Sequence, residues 1–569
     1  MAVLPQLKLS APKRSNFDLS FKSRFTAAPG VLYPVLNIPC LPGDHFEINV
    51  SSLLKTMAMQ APVMGSFSIQ FDLFFCPWRN YVKSFRDNRV DFNSMTLSTD
   101  VAFPKFSLPK VADTPYIDSN GVFTLSKMGN PETSGAFPQV RSGSLLDFLG
   151  LPVGFCELHT TNESPTYFNG IPLLSYLDIW RNYYINTQED NCPYILSSLF
   201  SEESAVFSYG TITQSALSNL FDTVIRSDFS TSTLNGLGFN AWINSSLGTP
   251  LGGLVCRTYK YDYFNNWISS KNYSALVTRT KINTSGSAFT VNQFRLGNKL
   301  QKLGERVLVS GGRFGDFIRA TFGVNTDKTL DVPEYLGSTS SYLTFDDVVA
   351  TADSGGAALG DLGGRGLNFD KGRTHYVNCT EYGTLMGIFS IVPIPDYFQG
   401  VRKQMLDVTL SDIYSPSLDG LGFQSTSMSE YCALPLPYEI IGTQGSFTDY
   451  DNSSYNFGLY NNEGTGFPPT PSPFDTGFSY QPAWLQYMTN WNELHGDFTQ
   501  SLRYWTLGRN YRFNTDSATL VAPSAYCKVS DFDYAFADKS DTSQNFLCQF
   551  SFDIKAKRPI SKRLMPNLG

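Results

Sequence analysis

Charge is scarce in this chain. Asp, Glu, Lys and Arg make up 16% of its 569 residues, well below the quarter usual for globular proteins. The formal net charge is −7. The chain as a whole is therefore no polycation, and any nucleic-acid contact must be local or delegated to a separate basic partner. Histidine is scarcer still. The four, His45, His159, His375 and His495, stand far apart and read better as satisfied structural side chains than as a ligand or catalytic set. The nine cysteines, at 40, 76, 156, 192, 256, 379, 432, 527 and 548, are odd in number and never at CxxC spacing. That argues against a disulfide framework and a structural zinc site, and fits free, mostly buried thiols made in a reducing cytoplasm. No apolar run is long enough to span a bilayer, so no membrane insertion is expected. The opening MAVLPQLKLSAPKRSNFD has no apolar core of a secretory signal.

Catalytic templates are missing as well. There is no GxxxxGK[ST] phosphate loop, no HExxH and no EF-hand loop. The glycines from Gly360 to Gly366 do not sit between a clear strand and helix, and read as part of a flexible segment from Ala352 to Gly366. Acidic residues are many, but sequence spacing cannot test the few-ångström separation a glycosidase pair needs. No residue is assigned to catalysis, to a cofactor or to a metal.

Aromatic side chains are what the chain has instead. They reach 14%, with 45 Phe and 30 Tyr. A monomer of ordinary shape has trouble covering so much aromatic surface. Extensive subunit contacts would absorb it, since interfaces favour aromatics and deplete charge. A carbohydrate-binding β-protein, also aromatic-rich and charge-poor, is the competing explanation.

Residues 1–30 are polar and basic, with Pro5, Pro12 and Pro29 discouraging regular structure. They read as an extended arm, either disordered or lying across a neighbour. Strands follow over about 44–78. Phe46, Ile48 and Val50 alternate, and then Phe67, Ile69, Phe71, Leu73 and Phe75 alternate with Ser66, Ser68, Gln70 and Asp72, the pattern of a half-buried strand ended by Pro77. A short helix is expected over Ser144–Leu149. A longer one starts near Pro172, with Leu173, Leu177, Trp180 and Tyr184 as its apolar stripe. Leu385–Ile394 (LMGIFSIVPI) is a continuous apolar run, within a strand region of about 380–394 buried on both faces. A last strand over about 545–555 alternates Phe546, Cys548, Phe550, Phe552 and Ile554 with Leu547, Gln549, Ser551 and Asp553. Excursions are expected at 91–140, 187–252, 289–337 and 425–480, rich in Ser, Gly, Asn and Pro or helical. Strands near both ends suggest one closed antiparallel sandwich over 1–569 rather than beads on a string. In a jelly roll the first and last strands can share a sheet, and the long connections carry the specific function.

The most strongly patterned helical stretch is Phe289–Gly337. Thr290 can serve as an N-cap, and Val291, Phe294, Leu300, Leu303 and Val307 fall at helical spacing. Gly311-Gly312 stops that helix. A second begins near Arg313, with Phe314, Phe317, Ile318 and Phe322 on one face and Gly323 placed to end it. On pattern alone this is a helical hairpin packed on a core. The one electrostatic feature with a direction is the basic tail, 555–569. Its Lys555, Lys557, Arg558, Lys562 and Arg563 put five cations within nine residues, enough to neutralise several phosphates without sequence specificity. A solvated terminus is the other reading.

Several stretches together resemble one family. Ser15-Asn16-Phe17-Asp18-Leu19-Ser20, Pro42-Gly43-Asp44 and Phe74-Phe75-Cys76-Pro77-Trp78-Arg79 are similar to motifs near the start of the major capsid proteins of the Microviridae, small phages with circular single-stranded DNA. So are Ser144–Pro152, the LLSYLDIWRNYY of Leu173–Tyr184, and Asp262-Tyr263-Phe264. Val291–Leu296, Gln301-Lys302-Leu303, Glu305-Arg306, Gly311-Gly312-Arg313, Phe322-Gly323-Val324 and Pro333–Gly337 follow in order and spacing, then Glu381-Tyr382-Gly383, His495–Phe498 and Arg558-Pro559. The likeness is to the gokushovirus-type shell protein and, more distantly, to the φX174-like one. It departs where only Asn265–Thr290 separates two motifs between which gokushoviruses carry a long protruding insertion.

The resemblance implies an all-β fold, an eight-stranded antiparallel viral jelly roll with long helical and loop insertions. It implies about sixty copies closing a T=1-like icosahedral shell around single-stranded DNA, assembled in the bacterial cytoplasm and presented to a host receptor. A small basic DNA-binding protein and vertex or pilot proteins are the implied partners, and the termini face inward with the basic tail on DNA. The polar face of Phe289–Gly337, with Lys299, Lys302, Arg306 and Arg313, is expected at neighbouring subunits or the shell surface. A glycan-binding or glycan-active β-sandwich and a trimeric receptor-binding spike are the alternatives.

Overall fold

The computed structural model describes residues 14–82, 142–153, 167–185, 254–260, 262–264, 291–310, 332–349, 362–431, 477–499, 501–509, 532–538 and 544–560, with a few isolated residues and stretches of two or three besides. Residues 187–252 lie outside these, as do most of 91–140 and 425–480.

The strands that carry the fold are β1 (Ser15–Asp18), β2 (Phe21–Ala27), β3 (Tyr33–Cys40), β4 (His45–Thr56), β5 (Phe67–Pro77), β6 (Glu334–Tyr342), β7 (Thr344–Val349), β8 (Leu362–Asp370), β9 (Thr374–Asn378), β10 (Gly383–Pro393) and β11 (Phe546–Arg558). They form two antiparallel sheets. In the first, β11 is flanked on one side by β1 and β2 and on the other by β4, which pairs in turn with β8 and β9, and β7 closes the edge beyond β8. The second runs β6–β5–β10–β3. The molecule is an antiparallel β-sandwich.

Alternation builds the space between the sheets. In β11 every even residue from Phe546 to Ala556 is buried, and in β4 the even residues from Phe46 to Thr56 are buried likewise. Their rings meet those of the second sheet. Phe67 packs edge-on to Phe546 at 5.2 Å, Phe71 lies 6.1 Å from Phe550, and Phe389 stands T-shaped on Phe550 at 4.9 Å. Each ring so removed from water is worth about 1.5–3 kcal/mol.

The second sheet is covered on its other side too, which corrects one expectation. β5 is not half-buried, since Ser68 and Asp72 are as buried as its aromatics. The cover is helix α1 (Ile171–Ile179), extended by one wider turn over Trp180–Tyr184 and buried at almost every position. Its polar atoms are met individually. The Tyr176 hydroxyl donates to Leu32 O at 2.8 Å and the Trp180 indole to Cys256 O at 2.9 Å. The Tyr184 hydroxyl donates to Asp72 at 2.5 Å and the Tyr81 hydroxyl to Asp178 at 3.0 Å. Burial raises both carboxyls, Asp178 to about 6.

Other differences have local causes. The arm expected through residue 30 holds two edge strands, β1 and β2, because β11 offers them a continuous ladder. The segment expected to flex through Gly366 becomes strand β8 from Leu362 onward. A Cβ on Gly364 would lie 2.3 Å from Ala61 O, so this glycine permits a close backbone approach rather than a loop. Past Pro333, which disfavours continuing a helix, the chain is extended and Glu334–Gly337 open β6. Helix α2 (Val291–Ser310) forms as the periodicity predicts, while Thr290 and Gly311–Phe317 lie outside the described residues. Further on, Gly323 is left-handed (φ 71°) and donates to Arg319 O at 2.9 Å. Three leucines of α2 do not pack on a core, however. Leu296, Leu300 and Leu303 are 59%, 46% and 41% exposed.

Candidate nucleic-acid interface and exposed apolar surfaces

The expected basic tail divides. Lys555, Lys557 and Arg558 belong to β11, which runs three residues past its expected end, and Lys562 and Arg563 lie outside the described residues.

Arg558 turns inward. Its Nε donates to Asp44 Oδ2 at 2.9 Å, its guanidinium also donates to Pro39 O, and it lies 5.4 Å from the Phe46 ring centroid. Asp44 is fully buried and also accepts from Leu41 N at 2.9 Å. Gly43, at φ 88°, makes the turn that brings Asp44 there. Two of the quoted motifs, Pro42-Gly43-Asp44 and Arg558-Pro559, thus meet in one ion pair. No spacing rule in the sequence reveals that meeting. His45 adjoins it, hydrogen-bonded to Arg14 and Asn378.

Lys555 and Lys557 point the other way, onto the outer face of the first sheet. Antiparallel register puts directly opposed residues on the same face, so the rows can be read across. One row is Asp18, Lys555, Glu47 and Tyr376, and the next is Asn16, Lys557, His45 and Asn378. Further along come Lys22, Ser551 and Ser51; then Arg24, Gln549, Leu53 and Phe369; then Thr26, Leu547, Lys55 and Leu367. Lys555 therefore stands between two carboxylates, whereas Lys557 stands between an amide and an imidazole. Asp18 is held below the usual carboxylate range, first by the Ser20 hydroxyl and backbone N–H that donate to it and lastly by Lys555.

Across these rows and the Asp553–Asn49–Thr374 row, the cations Lys22, Arg24, Lys55, Lys555 and Lys557 face the acids Asp18, Glu47 and Asp553. Five less three leaves a local excess of two positive charges in a chain of net −7. Tyr376 and Phe369 project from the same face, 75% and 66% exposed. A linear cluster of cations does not include Lys22, Arg24 and Lys55. The alternation Phe21-Lys22-Ser23-Arg24-Phe25 is the signal in the sequence that points to two of them. Beside this face, Arg24, Lys55, Gln549, Asp147 and Phe148 line a cleft of about 690 Å³.

A second surface is apolar. Lys403–Gly422 forms a strap of short turns, with Met405, Val408 and Leu410 exposed by 72%, 83% and 87%. It lies against Tyr487 and Trp484, whose rings are 6.2 and 5.7 Å from Tyr414.

Among the described residues no group of three or more His, Cys, Asp and Glu is placed to hold a metal ion, and no helix is long and apolar enough to cross a membrane. The described cysteines are free thiols, all buried except the half-buried Cys256. His375 is buried beside Thr339 at 3.3 Å, and His495 is exposed beside Glu493 at 3.1 Å; His159 lies outside the described residues.

Comparison with known proteins gives a consistent result. A family model described as "Capsid protein (F protein)" matches residues 6–568. The chain is 21% identical to "Capsid protein VP1" of Chlamydia phage 1 over 641 aligned positions, which cover 98% of this chain and 96% of the relative. It is 22% identical to "Capsid protein VP1" of Bdellovibrio phage phiMH2K, over 77% of this chain and 80% of that one.

Proposed function

The chain belongs to the phage F capsid-protein family, and from that premise we propose that about sixty copies close a T=1-like icosahedral shell around single-stranded DNA. It is a phage major capsid protein and its place is the virion. The observation that carries the reading is the family match over residues 6–568. Its role is structural: it offers surfaces to other copies, to the genome and to the host, and no step of bond-making falls to it.

The fold within this reading is an eight-stranded jelly roll. Strand order supports it. Numbering the principal strands along the chain as β2, β3, β4, β5, β6, β8 with β9, β10 and β11, one sheet takes the first, eighth, third and sixth, and the other the second, seventh, fourth and fifth. This interleaving is what two nested Greek keys produce.

The outer face of the first sheet turns to the genome. Its excess cations neutralise phosphates by counterion release, and the exposed Tyr376 and Phe369 offer rings on which unpaired bases stack. Lys562 and Arg563 extend the same basic run. With so small an excess, a basic partner protein and cations carry most of the neutralisation. Vertex or pilot proteins and a host receptor complete the set of partners, and the excursions at 187–252 and 425–480 build the exterior.

Electron microscopy of the purified, expressed protein tests the assembly. Uniform spherical particles are expected, and a strictly monomeric species under assembly conditions overturns it. Neutralising Lys555, Lys557, Lys562 and Arg563 should lower packaged DNA while shells still form; unchanged DNA content sinks the genome contact.

A further inference from the structure

Helix α2 leaves an apolar stripe in water on a well-formed helix. At 100° per residue, Leu296, Leu300 and Leu303 lie within about 60° of one another. Arg295, Lys299, Lys302 and Arg306 fall beside them as a second stripe, all exposed. Gln301 and Glu305 fall on the far side, linked by a 2.9 Å hydrogen bond and half-buried. That far side is the one turned to its own chain, since the Glu305 carboxylate comes within 3.5 Å of where a Cβ on Gly422 would be. The leucines and their flanking cations therefore point away from the strap of the same molecule.

The strap has the matching chemistry. Met405, Val408, Leu410 and Leu421 are exposed. Its acids are Asp407, Asp412 and Asp419, against a single base, Lys403. It keeps its shape without burial: Asp412 accepts from Thr409 N at 2.9 Å and from the Thr409 hydroxyl at 2.7 Å. A preformed turn with so many exposed apolar side chains marks a contact surface.

We propose that the leucine and lysine–arginine face of α2 in one copy docks on the apolar, acidic strap Lys403–Gly422 of a second copy of this chain. The two patches differ, so the contact is head-to-tail. Such a contact repeats around a rotation axis instead of ending at a dimer. Charge complementarity selects the occupant: a cationic rim beside leucines meets an acidic rim beside Met405, Val408 and Leu410. Apolar area supplies the affinity, and the charges set register and reject wrong pairings. The proposal rests on the shell reading and specifies which surfaces build it.

The test uses the full chain and charge reversal. Lys299→Glu with Lys302→Glu forms one variant, Asp407→Lys with Asp419→Lys a second, and all four changes together a third. Sedimentation of each is compared with the unaltered protein. Each two-site variant should raise the unassembled fraction at least tenfold, and the four-site variant should recover most of the assembly, because the reversed charges again face each other. Unchanged sedimentation of the two-site variants overturns the proposal, as does a four-site variant no better than either parent. If the unaltered chain never assembles, the shell reading falls and takes the proposal with it. A covalent readout guards against misfolding. Leu300→Cys combined with Leu410→Cys should give, on mild oxidation, a ladder of cross-linked chains absent from each single variant. A cross-link confined within one chain refutes the contact.

Discussion

Arg558 and Lys557 are adjacent and carry the same charge, but the structure assigns them opposite fates, and that difference is open to measurement. Replacing Arg558 by Met removes the partner of a carboxylate with no solvent exposure, along with a hydrogen bond to Pro39 O and a ring contact to Phe46. Asp44 would keep the Leu41 N–H as donor, which does not offset a buried charge. Breaking a buried pair from one side costs about 3–5 kcal/mol. Lys557→Met removes an exposed amine between Asn16 and His45, and surface changes of that kind stay within about 0.5 kcal/mol. Urea unfolding followed by intrinsic fluorescence should show a clear loss for Arg558→Met and almost none for Lys557→Met. Adding Asp44→Asn to Arg558→Met should recover part of the loss, with a coupling above about 1 kcal/mol. Equal effects of the two single changes, or strict additivity of Asp44→Asn and Arg558→Met, would refute the assignment of Arg558 to the fold.

Phe550→Ala empties a site shared by Phe71, Phe389 and Phe25 and should cost about 3–5 kcal/mol in the same unfolding assay. For Asp178, burial raises the folded carboxyl to about 6, against an ordinary value of 3.8. The folded state thus holds the proton more tightly than the unfolded chain. Its contribution is complete below about pH 4 and is lost as pH rises through 6, by up to about 3 kcal/mol at 1.36 kcal/mol per unit. Asp178→Asn should flatten the unfolding midpoint between pH 4 and 6, and an unaltered profile refutes that origin. On the outer sheet face, Lys557→Gln should weaken single-stranded DNA binding more than Lys555→Gln, which stands between Asp18 and Glu47. Each phosphate left without its cation should lower the slope of log affinity against log salt by about 0.7, as read by fluorescence anisotropy across a salt series.

Much of the sandwich is legible in the sequence because its strands alternate cleanly. β11 and β4 announce their inner and outer faces residue by residue, and β10 reads as buried on both. Where the sequence misleads, a tertiary partner decides the outcome. Ser68 and Asp72 give β5 the look of a half-exposed strand, because nothing local shows that α1 arrives with Tyr184 to satisfy the carboxyl. The glycines of β8 look like a loop, because nothing local shows that Gly364 lies against the Ala61 backbone. Among the tail cations the linear cluster is visible, but the strand pleat sends Lys555 and Lys557 outward and the ion pair to Asp44 takes Arg558 out of play.

β11 sits between β2 and β4, and its residues Phe546–Phe552 pair with Ala27–Phe21. On a ribosome, β2 and the facing edge of β4 emerge early and must wait for a partner encoded roughly five hundred residues later. At 5–20 residues per second that delay is roughly 25–100 s. Throughout it, one half of the sheet shows an open hydrogen-bonding edge and a row of bare Phe and Ile side chains to the cytosol, the kind of surface that pairs with any strand available. The first sheet therefore closes only after its last strand has been made, through contacts of very long range that fold slowly. Expression yield should depend on holdase chaperones that bind extended apolar segments during that interval, before any subunit is ready to meet another.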